Sequence, residues 1–319
     1  MPSVTISDAA LKKSATTYEK ELLLMPVIAA QDTLQHMTPR AGVRGRVVLS
    51  EMLGSLELGP YKASRKSDSN IEILPRTLEV FLGSAKMDFD PNELADTVFG
   101  SLVTQGDALK NTDIVKAVLD LLAGSLGKGL NKSIWTAKRN DTGTKTSELF
   151  NGFDTITDTE ITATNISVAN GNEHDFAAAI DSTTAVDALK EFYFSASDEL
   201  RTQQVKLFLP VDIYNAYCEC YKTETGAIAY NTQYDKTFLE GSQNLCELVP
   251  LASKKGTKYL HMGPKSNFIY GYGAGLADEH IMVDRFDSFL LTFAASMFFG
   301  TQFRSIQPEY LHVGKLHAD

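Results

Sequence analysis

The stretch Asp113 to Arg139, DIVKAVLDLLAGSLGKGLNKSIWTAKR, constrains this chain more than any other. At 100° per residue, Ile114, Val115, Val118, Leu119, Leu122 and Leu126 share one stripe, which Leu130 and Ile134 continue with a slow drift. Asp113, Lys116, Asp120 and Lys138 lie roughly opposite. Thr112 or Asp113 can cap the start, and Lys138 and Arg139 complement the dipole at the end. An unbroken helix of this length spans about 40 Å at the α-helical rise. Gly124, Gly127 and Gly129 each weaken it by about 1 kcal/mol relative to Ala, which makes this the place for a bend or break.

The flanks of the helix have other periods. RGRVVLSEMLGSLELG and IEILPRTLEVFLGSAKMDF read as two strands joined through a polar tip, Pro60 to Asn70, so residues 42–89 form a long two-stranded excursion. A hairpin alone in water is marginal, so this one is expected to lie against another chain. Arg44, Arg46, Arg65, Lys66 and Arg76 make it locally cationic in a chain of net charge −10, which suits a complementary neighbour. Ser7 to Met25 has helical promise but little to bury against. Pro26 and Pro39 interrupt the residues after it, so the first 40 residues read as an arm. Asp90-Pro91-Asn92-Glu93 is a helix start leading to about Leu102.

After the long helix, LFNGFDTITDTEIT (Leu149–Thr162) is expected to open a β segment, with Ile156, Ile161 and Ile166 alternating. Phe176 to Phe194 is helical, with Asp181-Ser182-Thr183 as break and cap, and His174-Asp175 reads as a helix cap. VKLFLP (Val205–Pro210) is a buried strand followed by the helix DIYNAYCECY. Further strands are expected at 256–260 and 267–272. The aromatic region Phe286 to Arg304 should join the sheet begun at Leu149, and Gln307 to Asp319 reads as a tail.

Composition bounds the rest. The 319 residues are 43% hydrophobic and 22% charged, enough for one large core or two smaller ones. The acidic balance argues against a general nucleic-acid binder. Cys218, Cys220 and Cys246 are too few and too irregular for a disulfide framework or zinc site, and fit a reducing cytoplasm. The longest apolar run, Phe289 to Phe299, is too short to span a bilayer.

Motifs for chemistry are weak. YGYGAG (residues 270–275) lacks the spacing of a dinucleotide fingerprint and reads as tight turns. Gly124-Ser125-Leu126-Gly127-Lys128 sits in a helical pattern and lacks phosphate-loop spacing. No two of His36, His174, His261, His280, His312 and His317 are three or four apart, so no helical metal pair exists. Asp284 and Asp287 in VDRFDSF are better explained by a turn than by acid–base work. No catalytic, cofactor or metal residue is assigned.

The order of parts carries a resemblance. An arm, a long hairpin, a long helix, the LFNGFDT entry, the module VKLFLPVDIYNAYCECYK and the aromatic return ending FGTQFRSIQPEY are similar to the major capsid proteins of tailed double-stranded DNA phages, the Hong Kong 97 type of fold. The LFNGFDTI entry and the strand–Pro–Tyr-rich-helix step resemble those of phages of Bacteroidetes-type hosts. The resemblance implies an α+β subunit with an N-terminal arm (1–41), an extended β-hairpin loop (42–89), a peripheral domain (90–165 and 276–319) with its spine helix at about 112–139, and an axial α/β domain (166–275).

It further implies a structural protein rather than an enzyme, without cofactor or metal. Copies assemble as pentamers and hexamers into an icosahedral shell around packaged double-stranded DNA, bound without sequence specificity and away from any membrane. The protein is made in the bacterial host cytoplasm and ends in the virion. Portal and scaffolding proteins are implied partners, decoration or minor capsid proteins further ones, and Met1 favours a separate scaffold. Arg44, Arg46, Tyr61, Lys62, Arg65, Lys66 and Arg76 become expected inter-subunit contacts. Lys116, Lys128, Lys132, Lys138 and Arg139 become expected DNA-facing residues. Two alternatives stand beside this: an encapsulin-type nanocompartment shell of the same fold, and an α/β enzyme without a recognisable motif.

Overall fold

The computed structural model describes residues 26, 30–55, 70–89, 111–225, 238–275, 278–285 and 291–317. In chain order its elements are α1 (Gln31–Leu34), β1 (Thr38–Ala41), β2 (Gly45–Ser55), β3 (Asn70–Phe89), α2 (Asn111–Ser133), α3 (Phe153–Thr162), β4 (Glu173–Asp175), α4 (Ala185–Phe194), α5 (Asp198–Arg201), β5 (Val205–Pro210), α6 (Val211–Thr225), β6 (Cys246–Leu251), β7 (Tyr259–Gly263), β8 (Phe268–Tyr272), β9 (His280–Arg285), β10 (Leu291–Phe303) and β11 (His312–Lys315). One sheet has six strands in the order β1-β8-β10-β3-β2, with β9 also paired to β10; the other has five in the order β4-β11-β7-β5-β6. The class is α+β. The helices expected at Ser7–Met25 and after Asp90, and the hairpin tip, lie outside the described residues.

The chain divides into two compact units: residues within 1–44, 80–152 and 270–300, and residues within 45–79, 153–269 and 301–319. In the first, β10 lies between β9 and β3 and is antiparallel to both, with Ala295 opposite Ile281 on one side and Ala85 on the other. A strand with neighbours on both edges and cover on both faces tolerates a continuous apolar run. Phe293, Phe298 and Phe299 are all buried although they point to alternate faces. The long return strand of the expected excursion is therefore not unpartnered: β3 lies between β2 and β10.

The helix α2 covers 23 residues and runs through all three glycines without a break. It ends at Ser133, short of Arg139. Past Ser133 the side chains of Ile134, Trp135 and Ala137 are all fully buried, which no single helical face provides. The backbone turns away instead: Lys138 N–H donates to Ser147 O at 2.8 Å, and Gly152 N–H donates to Ala137 O at 2.8 Å. A Cβ at Gly152 would collide with the Trp135 carbonyl, so glycine is required where these segments cross. A Cβ at Gly129 would stand 3.3 Å from Thr146 Oγ1, so the helix passes close to the 146–148 turn there.

The second unit holds the five-stranded sheet. The run VKLFLP is β5, parallel to β6 and antiparallel to β7, with α6 in the β5–β6 connection. Period-2 alternation divides its side chains between two faces. Leu207 and Leu209, with Leu248, Leu260 and Met262, pack against Val186, Leu189 and Phe192 of α4 and Tyr217 and Cys220 of α6. Phe208 meets Phe268 at 4.6 Å between ring centroids.

Four expectations are corrected by the structure. Residues 153–162 form the helix α3, not a strand. Thr155, Thr157, Thr159 and Thr162 favour strands on propensity, yet three of them satisfy their hydroxyls inside the helix. Thr157, Thr159 and Thr162 donate to the carbonyls four residues back, at 2.8, 2.9 and 2.8 Å. The aromatic return strand β10 thus joins β3 and β9, and no strand begun at Leu149. His174-Asp175 is not a cap but part of β4, which pairs in parallel with β11. The expected tail supplies β11, an inner strand between β4 and β7, and Leu311, His312 and Val313 are fully buried.

Candidate assembly surface

The cationic residues singled out in the sequence separate by environment. Arg44 pairs with Asp278 at 2.5 Å and Arg46 with Glu79 at 2.7 Å, but both arginine side chains keep most of their surface, 69% and 75%. They can therefore exchange their local carboxylate for a neighbour's at little cost, since exposed pairs contribute about 0–1 kcal/mol. Arg76 differs. Its side chain is 13% exposed, donates to Glu160 Oε1 at 2.8 Å and Gln302 Oε1 at 3.1 Å, and reaches Phe303 O at 3.3 Å. It is committed within its own unit. Tyr61, Lys62, Arg65 and Lys66 lie outside the described residues.

On α2, Leu121, Ser125, Lys128 and Lys132 share one exposed face by their spacing, with Leu121 68% exposed. Lys138 is exposed beyond the helix, while the side chain of Lys116 lies outside the description. Arg139 is not part of this face. Its Nη1 donates to Leu149 O at 2.8 Å, its Nη2 meets Asp141 at 2.6 Å, and the guanidinium lies 4.2 Å over the Phe81 ring. Beside it, hydrogen bonds from the Lys145 backbone N–H, the Asn140 side chain and the Thr144 backbone N–H hold the Glu148 carboxyl below its ordinary pKa. Arg139 and Glu148 stand on the rim of a groove of about 480 Å³ floored by Leu82, Leu126, Leu130 and Met297.

One polar constellation was invisible in the sequence. Asp154 on the first turn of α3, Lys254 after β6 and His261 on β7 meet in the second unit, with side chains 8%, 0% and 0% exposed. Lys254 Nζ donates to Tyr259 O at 2.6 Å and lies 3.1 Å from His261 Nδ1. Thr157 spends its proton on Phe153 O, so at 2.9 Å it accepts from His261 Nε2. That fixes the imidazole with its proton on Nε2 and Nδ1 facing the lysine. Desolvation dominates all three groups: it raises Asp154, lowers Lys254 and keeps His261 far below its ordinary value. Phe303 covers the imidazole at 5.7 Å and packs on Phe153 at 4.9 Å. A Thr–His–Asp order suggests hydrolytic chemistry, but the hydroxyl is fully buried and bonded to backbone, so no outside substrate reaches it. Positions 104 residues apart (Thr157 and His261) leave no local sequence signal.

No family model and no curated protein sequence matches the chain. Solved structures do match in fold. The chain is similar to the capsid of a native GTA particle, with a TM-score of 0.62 and 14% identity over 91% of both chains. It is also similar to a chain of the satellite phage P4 procapsid that includes the size determination (Sid) protein, with a TM-score of 0.58 and 7% identity over 92% of this chain and 89% of that one. A virus-like particle from Pyrococcus furiosus matches with a TM-score of 0.50 and 10% identity over 92% of this chain and 98% of that one. The fold is that of phage capsid proteins.

Proposed function

We propose that this chain is the major capsid protein of a tailed double-stranded DNA phage, and that its copies close into an icosahedral shell through pentamers and hexamers. The observation that carries this reading is the end-to-end fold likeness to the GTA capsid, over 91% of both chains, in an α+β subunit with a 23-residue helix and a 20-residue strand β3. In the Hong Kong 97-type reading, residues 1–41 are the arm, 42–89 the extended loop, 90–165 and 276–319 the peripheral domain, and 166–275 the axial domain. The exposed Arg44 and Arg46 then contact adjacent copies, together with Tyr61, Lys62, Arg65 and Lys66. Arg76 supports the loop's root from within. The exposed face bearing Lys128 and Lys132, with Lys138, turns toward packaged DNA and softens phosphate repulsion without reading sequence. Portal, scaffolding and decoration proteins are the partners such a shell uses, and the virion is its destination.

The second reading, a cellular nanocompartment of the same fold, draws on the likeness to the Pyrococcus furiosus particle. Expression of the chain, alone and with its neighbouring genes, followed by negative-stain microscopy, tests both. Shells or capsomers support assembly, and nucleic acid inside rather than a protein cargo separates phage from compartment. A monomer under every condition contradicts the proposal.

A further inference from the structure

The Asp154–Lys254–His261 cluster has a geometry that an ion pair alone does not explain. Lys254 Nζ stands 3.8 Å from Asp154 Oδ1, and His261 Nδ1 stands 3.9 Å from that oxygen and 3.1 Å from Nζ. A buried amine, a buried carboxyl and a proton acceptor thus form a closed triangle. Asp154 Oδ1 accepts no hydrogen bond among the described residues, whereas the carboxylate does receive the backbone N–H of Lys258. Leaving a buried carboxylate oxygen unbonded is costly, and a simple structural ion pair would be expected to satisfy it.

We propose that Lys254 and Asp154 become joined by an intrachain amide, an isopeptide bond formed in the folded core of the second unit. The steps balance without redox change. The ammonium of Lys254 passes a proton to the Asp154 carboxylate, leaving an amine and a carboxylic acid. The amine nitrogen attacks Cγ. His261 Nδ1 takes a proton from that nitrogen and returns it to the departing hydroxyl. One C–N bond forms, one C–O bond breaks, and one water leaves.

Three features of the site favour this outcome. Burial disfavours the charged forms of both partners, which raises the population of the reactive acid and amine. Holding two groups in contact makes the attack intramolecular, with an effective concentration that reaches about 10⁵–10⁸ M for well-oriented groups, which lowers the barrier to the bond. The product also satisfies what the ion pair does not. The remaining amide N–H keeps Tyr259 O as its acceptor, the carbonyl keeps the Lys258 N–H, and the unbonded oxygen is the one that departs. The other charged groups around the cluster, Asp158 and Lys258, pair with each other at 3.9 Å on its exposed side, and Tyr259 donates to Asp158 at 2.6 Å, so neither competes for Lys254.

Both partners lie in one unit of one chain, so the bond needs no assembly and stands or falls apart from the shell. Intact-mass spectrometry of the purified full chain tests it. The expected species is lighter than the sequence mass by one water, and its proteolytic map contains one branched peptide joining the segments with Asp154 and Lys254. Lys254→Arg, which keeps the charge, should restore the full mass. A folded wild-type chain at full sequence mass, or a water loss mapped elsewhere, overturns the proposal. Neither observation on the wild type requires the variant to fold.

Discussion

Charge holds a helix end in two places in this molecule, and the two differ in how much water they admit. At the start of α3, Asp154, Lys254 and His261 are sealed under Phe153 and Phe303. Past the end of α2, Arg139 and Glu148 tie the returning loop at the rim of an open groove. Each site sets an acid beside a base, but the electrostatics are not equivalent. In the sealed site every polar group is desolvated, so each depends on its partner and the loss of one strands the other. At the rim, water replaces a lost partner, and the tie contributes mostly by ordering the chain. The lesson is that the polar groups fixing this subunit's geometry most firmly are those farthest from solvent, whereas Arg44 and Arg46 remain exchangeable.

The largest expected effect tests the sealed site. Replacing Lys254 by Met keeps its bulk but removes its tie to Asp154 and leaves that carboxyl buried alone, and should cost about 3–5 kcal/mol. Urea unfolding measures it, and a loss under about 1 kcal/mol would place the sealed tie in the same class as the rim. A second sealed group, His312, extends the comparison to acid. Burial, the nearest cause, lowers its pKa from 6.5 to about 4, so the unfolded chain takes up a proton over a range where the folded chain does not. The stability His312 contributes is present above pH 6.5 and lost as pH falls toward 4, by about 3 kcal/mol in all. His312→Gln should flatten that acid limb in unfolding midpoints measured across pH, and an unchanged slope would show that His312 is not its source. The smallest effect belongs to the rim. Arg139→Ala should cost only about 1 kcal/mol in the same urea assay, weakened further by salt. Glu148→Ala should also loosen the 144–148 turn. A loss at Arg139 as large as that at Lys254 would break the comparison.

Legibility in the sequence followed the same division. The stripe through Leu126 and Leu130 was readable because burial on one face imposes a period, and VKLFLP because burial on both faces imposes a run. α3 was misread because its hydroxyl-bearing threonines carry strand propensity, and the hydrogen bonds that cancel it appear only once the helix has formed. The end of α2 was placed too late because Trp135 and Ala137 continue an apolar pattern whose burial comes from a different direction. β11 was hidden because HVGK, though short and inconspicuous, is buried by neighbours from distant parts of the chain. The sealed cluster could not have been found by spacing at all, since Asp154, Lys254 and His261 meet only through tertiary structure. The exposed cations were easy to nominate, and the structure then separated Arg76 and Arg139, held internally, from Arg44, Arg46, Lys128 and Lys132.

Whether these surfaces join copies of the chain is the central claim, and electron microscopy of the purified chain over a range of concentration and salt tests it most directly. The account predicts capsomers or closed spherical shells built from this chain. A monodisperse, folded monomer at every concentration and salt, with no particles on co-expression with its neighbouring genes, would contradict it.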